Sequence, residues 1–495
     1  MNIIFFQYLV IFIKCIYIVC AGILFLYGIN SLILSLIYLF NRKKIWTRRK
    51  LPKMISWPVV SIQLPLYNEG RLVIDSLHFI TQLDYPHEKL QIQVLDDSTD
   101  DTSLMLMELV EKYKREGFWI EYTHRSDRTG FKAGNLAFGL KKSKGEFIVV
   151  FDADYEPSQD FLKKTIPLFL DEKVGFVQTR WTNKNLHSNI ITYMGGIAYD
   201  GHLFVEQNAR SICGLFVGFS GSGGIWRKNC LLSIDGWKSD SITEDIDISF
   251  RAQLNGWKGI YVPQSLSRAE LPEEMDAYEL QQNRWAKGAA QCYRRYINKV
   301  FIAKLPLKVK IMAILHLLSY VTIPAMPVLL FLVLPICLYG GGFITLFWWM
   351  ALGSIGPALT FTIAQLEQKG QLAERLFHLP VVLLMAVGIS LDAFAGVMSG
   401  LFNKGGEFIR TPRVIERGLS GEKDQKVTFL TNLTLAEIFM GGYLIFSVFL
   451  LWSTIGKYLA PWLLSSASGY LLMAGASIIQ YFSNQKRKIL SQEKQ

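Results

Sequence analysis

The sequence predicts an α/β chain in which a doubly wound domain is inserted between transmembrane helices. Three observations predict it. Between residues 51 and 300, short apolar runs alternate with acidic or glycine-rich loops and helical stretches. Long apolar segments flank that region on both sides. The chain of 495 residues is 51% hydrophobic and 13% aromatic with a mean hydropathy of +0.24, too apolar for an ordinary cytosolic enzyme and too charged in its middle for a pure transporter.

In chain order, residues 5 to 40 are apolar except for Lys14, enough for one tilted helix, which needs about 20 such positions. A removable leader is not expected, because its apolar stretch runs to roughly 7 to 15 residues and follows its basic residues. Here the basic run Arg42, Lys43, Lys44, Arg48, Arg49, Lys50 comes after the apolar segment, which places residues 41 onward in the cytoplasm. Next, VVSIQL (59–64), IQVL (92–95), FIVVF (147–151) and GFVQT (175–179) read as strands buried in a parallel sheet, with helical stretches such as SLMLMELVEKYKREG between them. Such a sheet binds ligands beyond the carboxyl ends of its strands, where the acidic motifs lie. There is no GxGxxG or Walker sequence to support a dinucleotide or P-loop site.

Further apolar segments lie at 310–338, 343–366, 376–401, 434–453 and 458–482. Five full crossings would put Lys404, Arg410, Arg413, Arg417, Lys423 and Lys426 outside, against the positive-inside rule. The 376–401 segment, which carries Asp392 and three glycines, is therefore expected to be interfacial or re-entrant. Pro324, Pro327 and Pro335 are expected to kink the 310–338 helix, as a channel wall or as a bent anchor. The expected division is 1–50, membrane helix and basic flank; 51–300, cytoplasmic domain; and 301–495, membrane helices with a cytoplasmic loop at 402–433.

The net charge of +11 does not point to nucleic acid, since Lys and Arg cluster at the edges of apolar segments. The six cysteines form no CxxC and no even ladder, and the seven histidines are scattered, so neither a disulfide framework nor a zinc site is indicated.

Each motif has a structural and a chemical reading. Asp96 and Asp97 follow the second strand, and Asp100 and Asp101 follow a Ser-Thr turn, where a helix cap is the plain reading. Asp152 and Asp154, one residue apart on an extended strand end, point the same way and can share a hard divalent cation, Mg2+ or Mn2+, bridging a diphosphate. Lys132 in GFKAGN can reach a phosphate or sit in solvent. Asp245, near the start of a helix capped by Thr243 and stopped at Gly256, stabilises that helix by about 0.3–1 kcal/mol or takes the proton of an attacking sugar hydroxyl. In QQNRW (281–285), Arg284 can counter diphosphate charge and Trp285 can stack on a sugar ring, or both can be core residues. The four motifs in this order suit metal-dependent transfer from a nucleotide-activated donor.

The chain resembles the processive, membrane-embedded family 2 glycosyltransferases, most closely the plant cellulose synthase-like mannan and glucan synthases. The resemblance rests on QVLDDSTD, GFKAGN, FDADYEP, VQTRW, YDGHLFVEQ, GFSGSGGIWRK, GWKSDSITEDIDISFRAQLNGWKGIYV and ELPEEMDAYELQQNRWAKG, and runs from about 58 to 300. It implies a GT-A fold with Tyr67 and Asp97 at the nucleoside. Asp152 and Asp154 would lie at the diphosphate and metal, with Lys132 and Arg284 absorbing charge. Asp245 would be the base, and Glu244, Gln281 and Trp285 would hold the acceptor. It also implies a gating loop of form FxVTxK, of which FIRTPR (408–413) keeps Phe408 and Thr411 but has Arg410 and Arg413 for the valine and the lysine. The implied reaction is inverting, yielding a β-1,4-linked mannan, glucan or mixed polymer threaded through the helices. The implied partners are GDP-mannose or UDP-glucose, the growing polysaccharide and the lipid bilayer, with no nucleic acid; a homo-oligomer is left open. Two other readings are a ceramide-type lipid glucosyltransferase and an inactive nucleotide-sugar sensor or anchor, the latter opposed by the intact Asp154, Asp245 and Arg284.

Overall fold

The computed structural model describes residues 2–47, 54–339, 345–368, 370, 372–403 and 431–492. Phe408 and Thr411 of the expected gating loop lie outside them. The α/β region is built on eight strands: β1 Val60–Leu66, β2 Leu90–Asp96, β3 Ile120–His124, β4 Phe147–Val150, β5 Glu156–Pro157, β6 Val174–Asn183, β7 Gly224–Arg227 and β8 Lys258–Ala269. They form one sheet in the order β3-β2-β1-β4-β7-β6-β8-β5. The first half is parallel, with Val60 opposite Leu90 on one side and Phe147 on the other. In the second half β7 runs antiparallel to both β4 and β6, and β6 pairs parallel with β8.

The four apolar runs became β1, β2, β4 and β6, each carrying residues wholly removed from water, such as Ile62, Val94, Val149 and Phe176. The remaining strands lack such a run. β3 is a half-buried edge, β7 is four residues in a glycine loop, and β8 contains Pro263 where the pairing with β6 slips between Thr179–Val262 and Arg180–Ser265, a bulge that accommodates its missing N–H. The sheet face under the Phe131–Lys142 helix is partly polar. Gln63 donates to Gln93, which donates in turn to the Gly139 carbonyl at 3.1 Å. A side chain at Gly139 would come within 2.6 Å of Gln63.

Among the described residues, three helices are long and apolar enough to cross a membrane, Ile4–Trp46, Asn432–Thr454 and Lys457–Gln485, or up to five if each of two bent pairs is one span. The segment expected as a single kinked helix at 310–338 is instead two helices, Leu307–Val321 and Ala325–Tyr339, meeting at 67°. The break precedes Pro324, whose ring disfavours helical backbone at the residue before it. The 376–401 segment also bends, by 40°, between Leu372–Gly388 and Ser390–Phe402. Its first half packs on the last helix, where Gly388 meets Gly469. Its second half lies along the Met275–Ile302 helix with Gly396 over the Asn283 carbonyl and Gly400 over that of Lys287. The N-terminal helix packs against Thr345–Glu367 through Gly28 and Gly356, and its Ser31 and Ser35 hydroxyls each meet Thr360 at 2.7 Å.

A β-carbon at Gly400 would stand 2.2 Å from the Lys287 carbonyl oxygen, whereas one at Gly442 would meet nothing within 4 Å. Gly400→Ala is therefore expected to cost about 1–3 kcal/mol by overpacking and to lower the thermal melting point in detergent. Gly442→Ala melts with the parent.

Candidate active site

Tyr67, Asp97, Lys132, Asp152, Asp154, Glu244, Asp245, Gln281, Arg284 and Trp285 all line one cavity of about 1240 Å³, which begins beyond the ends of β1, β2 and β4 and continues between the flanking apolar helices past Ser31, Ser319 and Ser390. The sheet order brings them together, because the residues following adjacent parallel strands emerge side by side.

At one end, Tyr67 follows β1 and Asp97 follows β2. Asp97 is gripped by Arg125, Nε to Oδ1 at 2.7 Å and Nη2 to Oδ2 at 2.5 Å. Burial raises its pKa and Arg125 opposes that rise. The Arg128 guanidinium lies 3.2 Å over the Tyr67 ring. Neither arginine was anticipated, since both sit in a loop after β3, a strand without an apolar run. Asp96 is structural: its carboxylate accepts from the Ser98 N–H, Ser103 and Tyr122. Asp100 bears out the cap reading by accepting the Thr102 N–H at 3.0 Å, while Asp101 occupies the cap position without a side-chain bond.

At the centre, Lys132 is not solvated. It follows Gly130 at φ +76°, a left-handed turn that suits glycine. Its ammonium reaches Asp152 Oδ1 at 2.6 Å and Glu244 Oε1 at 3.5 Å, and donates to the Gly221 carbonyl at 3.1 Å. Asp152 and Asp154 do not lie on an extended strand end as expected. β4 stops at Val150 and the chain turns, the Tyr155 N–H donating to the Asp152 carbonyl at 3.0 Å. Asp152 consequently faces Lys132, while Asp154 accepts the Glu270 N–H at 3.4 Å. Among the described residues, no group of three or more His, Cys, Asp or Glu side chains has the spacing to hold an ion alone.

Asp245 lies in the first turn of the Glu244–Leu254 helix. Thr243 holds the cap position, but its hydroxyl turns to Ser241 and Cys292 instead of capping the helix. Gly256 at φ +88° follows the end of this helix as expected. Burial and the neighbouring Glu244 raise the Asp245 pKa to about 7, against the pull of the Ile246 N–H and Lys132. A carboxylate poised there is suited to accept a proton near neutrality. Asp247, the next acid in the motif, is structural, bonded to Arg251, Arg295 and Tyr296.

QQNRW occupies the Met275–Ile302 helix. Arg284 faces the carboxylates: burial lowers its pKa, while Glu244, Asp245 and Asp152 raise it. Four carboxylates, Asp152, Asp154, Glu244 and Asp245, thus line the cavity with the cations Lys132 and Arg284. Gln281 Oε1 accepts the Tyr199 hydroxyl at 2.6 Å, and the Trp285 ring lies 5.5 Å from that of Tyr199. Tyr199 stands inside the motif YDGHLFVEQ yet carries no titratable signal that would single it out.

Residues 58–288 match the family described as Glycosyltransferase like family 2. This segment is a family 2 glycosyltransferase domain. Over 253 residues, 50% of the chain, it is 40% identical to probable glucomannan 4-beta-mannosyltransferase 7 of Oryza sativa subsp. japonica; the match spans 43% of that protein's length. The chain superposes on the mannosyltransferase PcManGT from Pyrobaculum calidifontis, solved in complex with GDP-Man and Mn2+, with a TM-score of 0.52 and 20% identity, covering 77% of this chain and 99% of that one. The glycosyltransferase domain therefore has the GT-A-like fold.

Because Asp245 binds its proton more tightly folded than unfolded, where a free Asp titrates near 3.9, its ionisation opposes folding increasingly as pH rises from about 4 to about 7. Asp245→Asn removes that opposition. It should melt above the parent at pH 8, with the difference closing toward pH 4 in the same thermal scan.

Proposed function

We propose that the chain is a membrane-embedded, inverting hexosyltransferase that extends a β-1,4-linked polysaccharide of the mannan, glucomannan or glucan class from a nucleotide sugar. The observation that carries this reading is the single cavity that joins the carboxylates to Trp285 and continues between the membrane helices. GDP-mannose is the favoured donor, in keeping with the plant mannosyltransferase and with the GDP-Man held by the archaeal neighbour. The catalytic domain is assigned to the cytoplasm by the basic residues that flank the first helix. The polymer leaves through the continuation of the cavity.

In the proposed reaction the acceptor sugar rests on Trp285, beside Gln281 and Glu244. Asp245 removes the proton of its hydroxyl as that oxygen bonds to the anomeric carbon, while the bond from that carbon to the diphosphate oxygen breaks on the opposite face. Lys132 and Arg284 compensate the charge that develops on the departing diphosphate, the kind of prearranged electrostatic stabilisation that dominates many enzymes. Tyr67 and Asp97 receive the nucleoside. A divalent cation fits the chemistry of this donor set, in which carboxylates outnumber cations, and Asp152 and Asp154 would be the residues to hold it. Bound there, Mg2+ or Mn2+ would neutralise leaving-group charge.

Incubating the purified chain with radiolabelled GDP-mannose or UDP-glucose tests the reading. A β-1,4-linked polymer is expected, and a single-sugar lipid product or no transfer would overturn it. Asp245→Asn should lower transfer by more than about 100-fold while nucleotide affinity stays near that of the parent. Asp154→Ala should abolish the Mn2+-dependent part of GDP binding in calorimetry; unchanged affinity would reject the metal role.

A further inference from the structure

The nucleoside end of the cavity carries a cation that the proposed reaction does not use. Arg128 lines that end together with Tyr67, Glu69 and Asp97, and it is among the charges that hold the Asp97 carboxyl down against burial. Its guanidinium stands 3.2 Å from the Tyr67 ring centroid, so close that the planar group must lie nearly flat on the ring, since tipping it would drive a nitrogen into the π face. The Phe131 ring is a second aromatic neighbour, at 5.3 Å. The loop that carries Arg128 is fixed on several sides. Arg125, while gripping Asp97, also donates to the Thr129 and Phe131 carbonyls at 3.2 and 3.3 Å, and the Phe131 N–H donates to the Arg128 carbonyl at 2.9 Å. Gly130 and Phe131 are both left-handed, at φ +76° and +50°. For a phenylalanine that backbone is strained, and such strain persists where the surroundings over-determine it, often beside a ligand.

A guanidinium that lies flat on Tyr67 turns its edge of N–H groups sideways, into the layer where a nucleobase beside it would lie. Those donors form a planar fork. Guanine offers that fork two adjacent acceptors, O6 and N7, which an arginine meets bidentately. Adenine sets an amino group beside its N7, and uracil flanks its O4 with an N–H and a C–H. We propose that Arg128 selects the nucleobase of the donor by taking guanine through O6 and N7, with Asp97 and Glu69 standing at the same end as acceptors for its N1–H and 2-amino groups. The role of Tyr67 is then to keep the fork in the plane of the base. The inference rests on the glycosyltransferase reading of the site and deepens it, because it names the residue that decides which nucleotide the donor sugar carries.

The test titrates the full chain in detergent, by calorimetry with Mn2+ present, with GDP, with UDP and with 7-deaza-GDP, which has a C–H in place of N7. Two variants accompany the parent. Arg128→Lys keeps a positive charge over Tyr67 and loses the planar fork, and Arg128→Ala loses both. The parent should bind GDP at least about 10-fold tighter than UDP and about 5-fold tighter than 7-deaza-GDP. In both variants the gap between GDP and 7-deaza-GDP should close to within about twofold, because the partner of N7 is gone, while UDP affinity in Arg128→Lys stays within about threefold of the parent. A parent that binds GDP and 7-deaza-GDP alike overturns the base-reading role, and so does a gap that survives in the variants. Equal losses of all three nucleotides in Arg128→Lys would show a general structural or charge role and overturn it as well. A parent that prefers UDP and transfers from UDP-glucose overturns this inference and leaves the hexosyltransferase reading standing. A parent that binds no nucleotide overturns this inference and the proposed function alike.

Discussion

The ammonium of Lys132 is the contact on which the site depends. It meets a carboxylate after β4, a carboxylate at the start of the Glu244–Leu254 helix and a carbonyl of the glycine loop before β7, three pieces of chain that the parallel and antiparallel halves of the sheet deliver separately. Without a cation among them, Asp152, Glu244 and Asp245 would face one another in a largely buried cluster, and like charges so placed repel. The lysine is held in turn by local backbone chemistry. The left-handed Gly130 starts its helix at the required angle, and Gly221, at φ +78°, bends the loop so that its carbonyl faces the ammonium.

That compensation is incomplete, and the residue that bears the remainder is Asp245. Its proton is retained up to about pH 7 because burial and Glu244 outweigh the ammonium. A fold selected only for stability would place another cation or a neutral amide here. A carboxylate that is expensive to ionise is also one able to take a proton in the neutral range, so the site gives up folding energy for basicity, a trade common to active sites.

Much of this was legible in the sequence, and the parts that were not share a cause. β1, β2, β4 and β6 announce themselves because central strands are buried on both faces and so are rich in apolar residues, the few polar ones, such as Gln63 and Gln93, being paired with each other, and the motif acids follow from being placed after them. β3, β7 and β8 are an edge strand, a short antiparallel insertion and a bulged strand with Pro263, none of which needs a continuous apolar run. Arg125 and Arg128 were missed along with β3, whose end they follow. The spacing of Asp152 and Asp154 suggested parallel carboxylates, but alternation holds only while the strand continues, and β4 had already ended. Tyr199 could not be separated from the buried aromatics around it, since its contacts with Gln281, Gln282 and Trp285 are made across more than 80 residues of chain.

The contact of Gly396 and Gly400 with the backbone of the QQNRW helix makes the two helices a single mechanical part. Main chain resting on main chain has no side chain to compress or re-rotamer, so the Ser390–Phe402 helix cannot shift along its partner without carrying Trp285 with it. Asn283 locks the same pair by donating to the carbonyl and carboxylate of Asp392. Ile389 carries the helical hydrogen bonds across the 40° bend before this helix, donating to the Met385 carbonyl and accepting the Ala393 N–H, each at 2.9 Å. The place of Trp285 in the cavity is therefore set by two helices together, as a tongue is set by the groove that holds it.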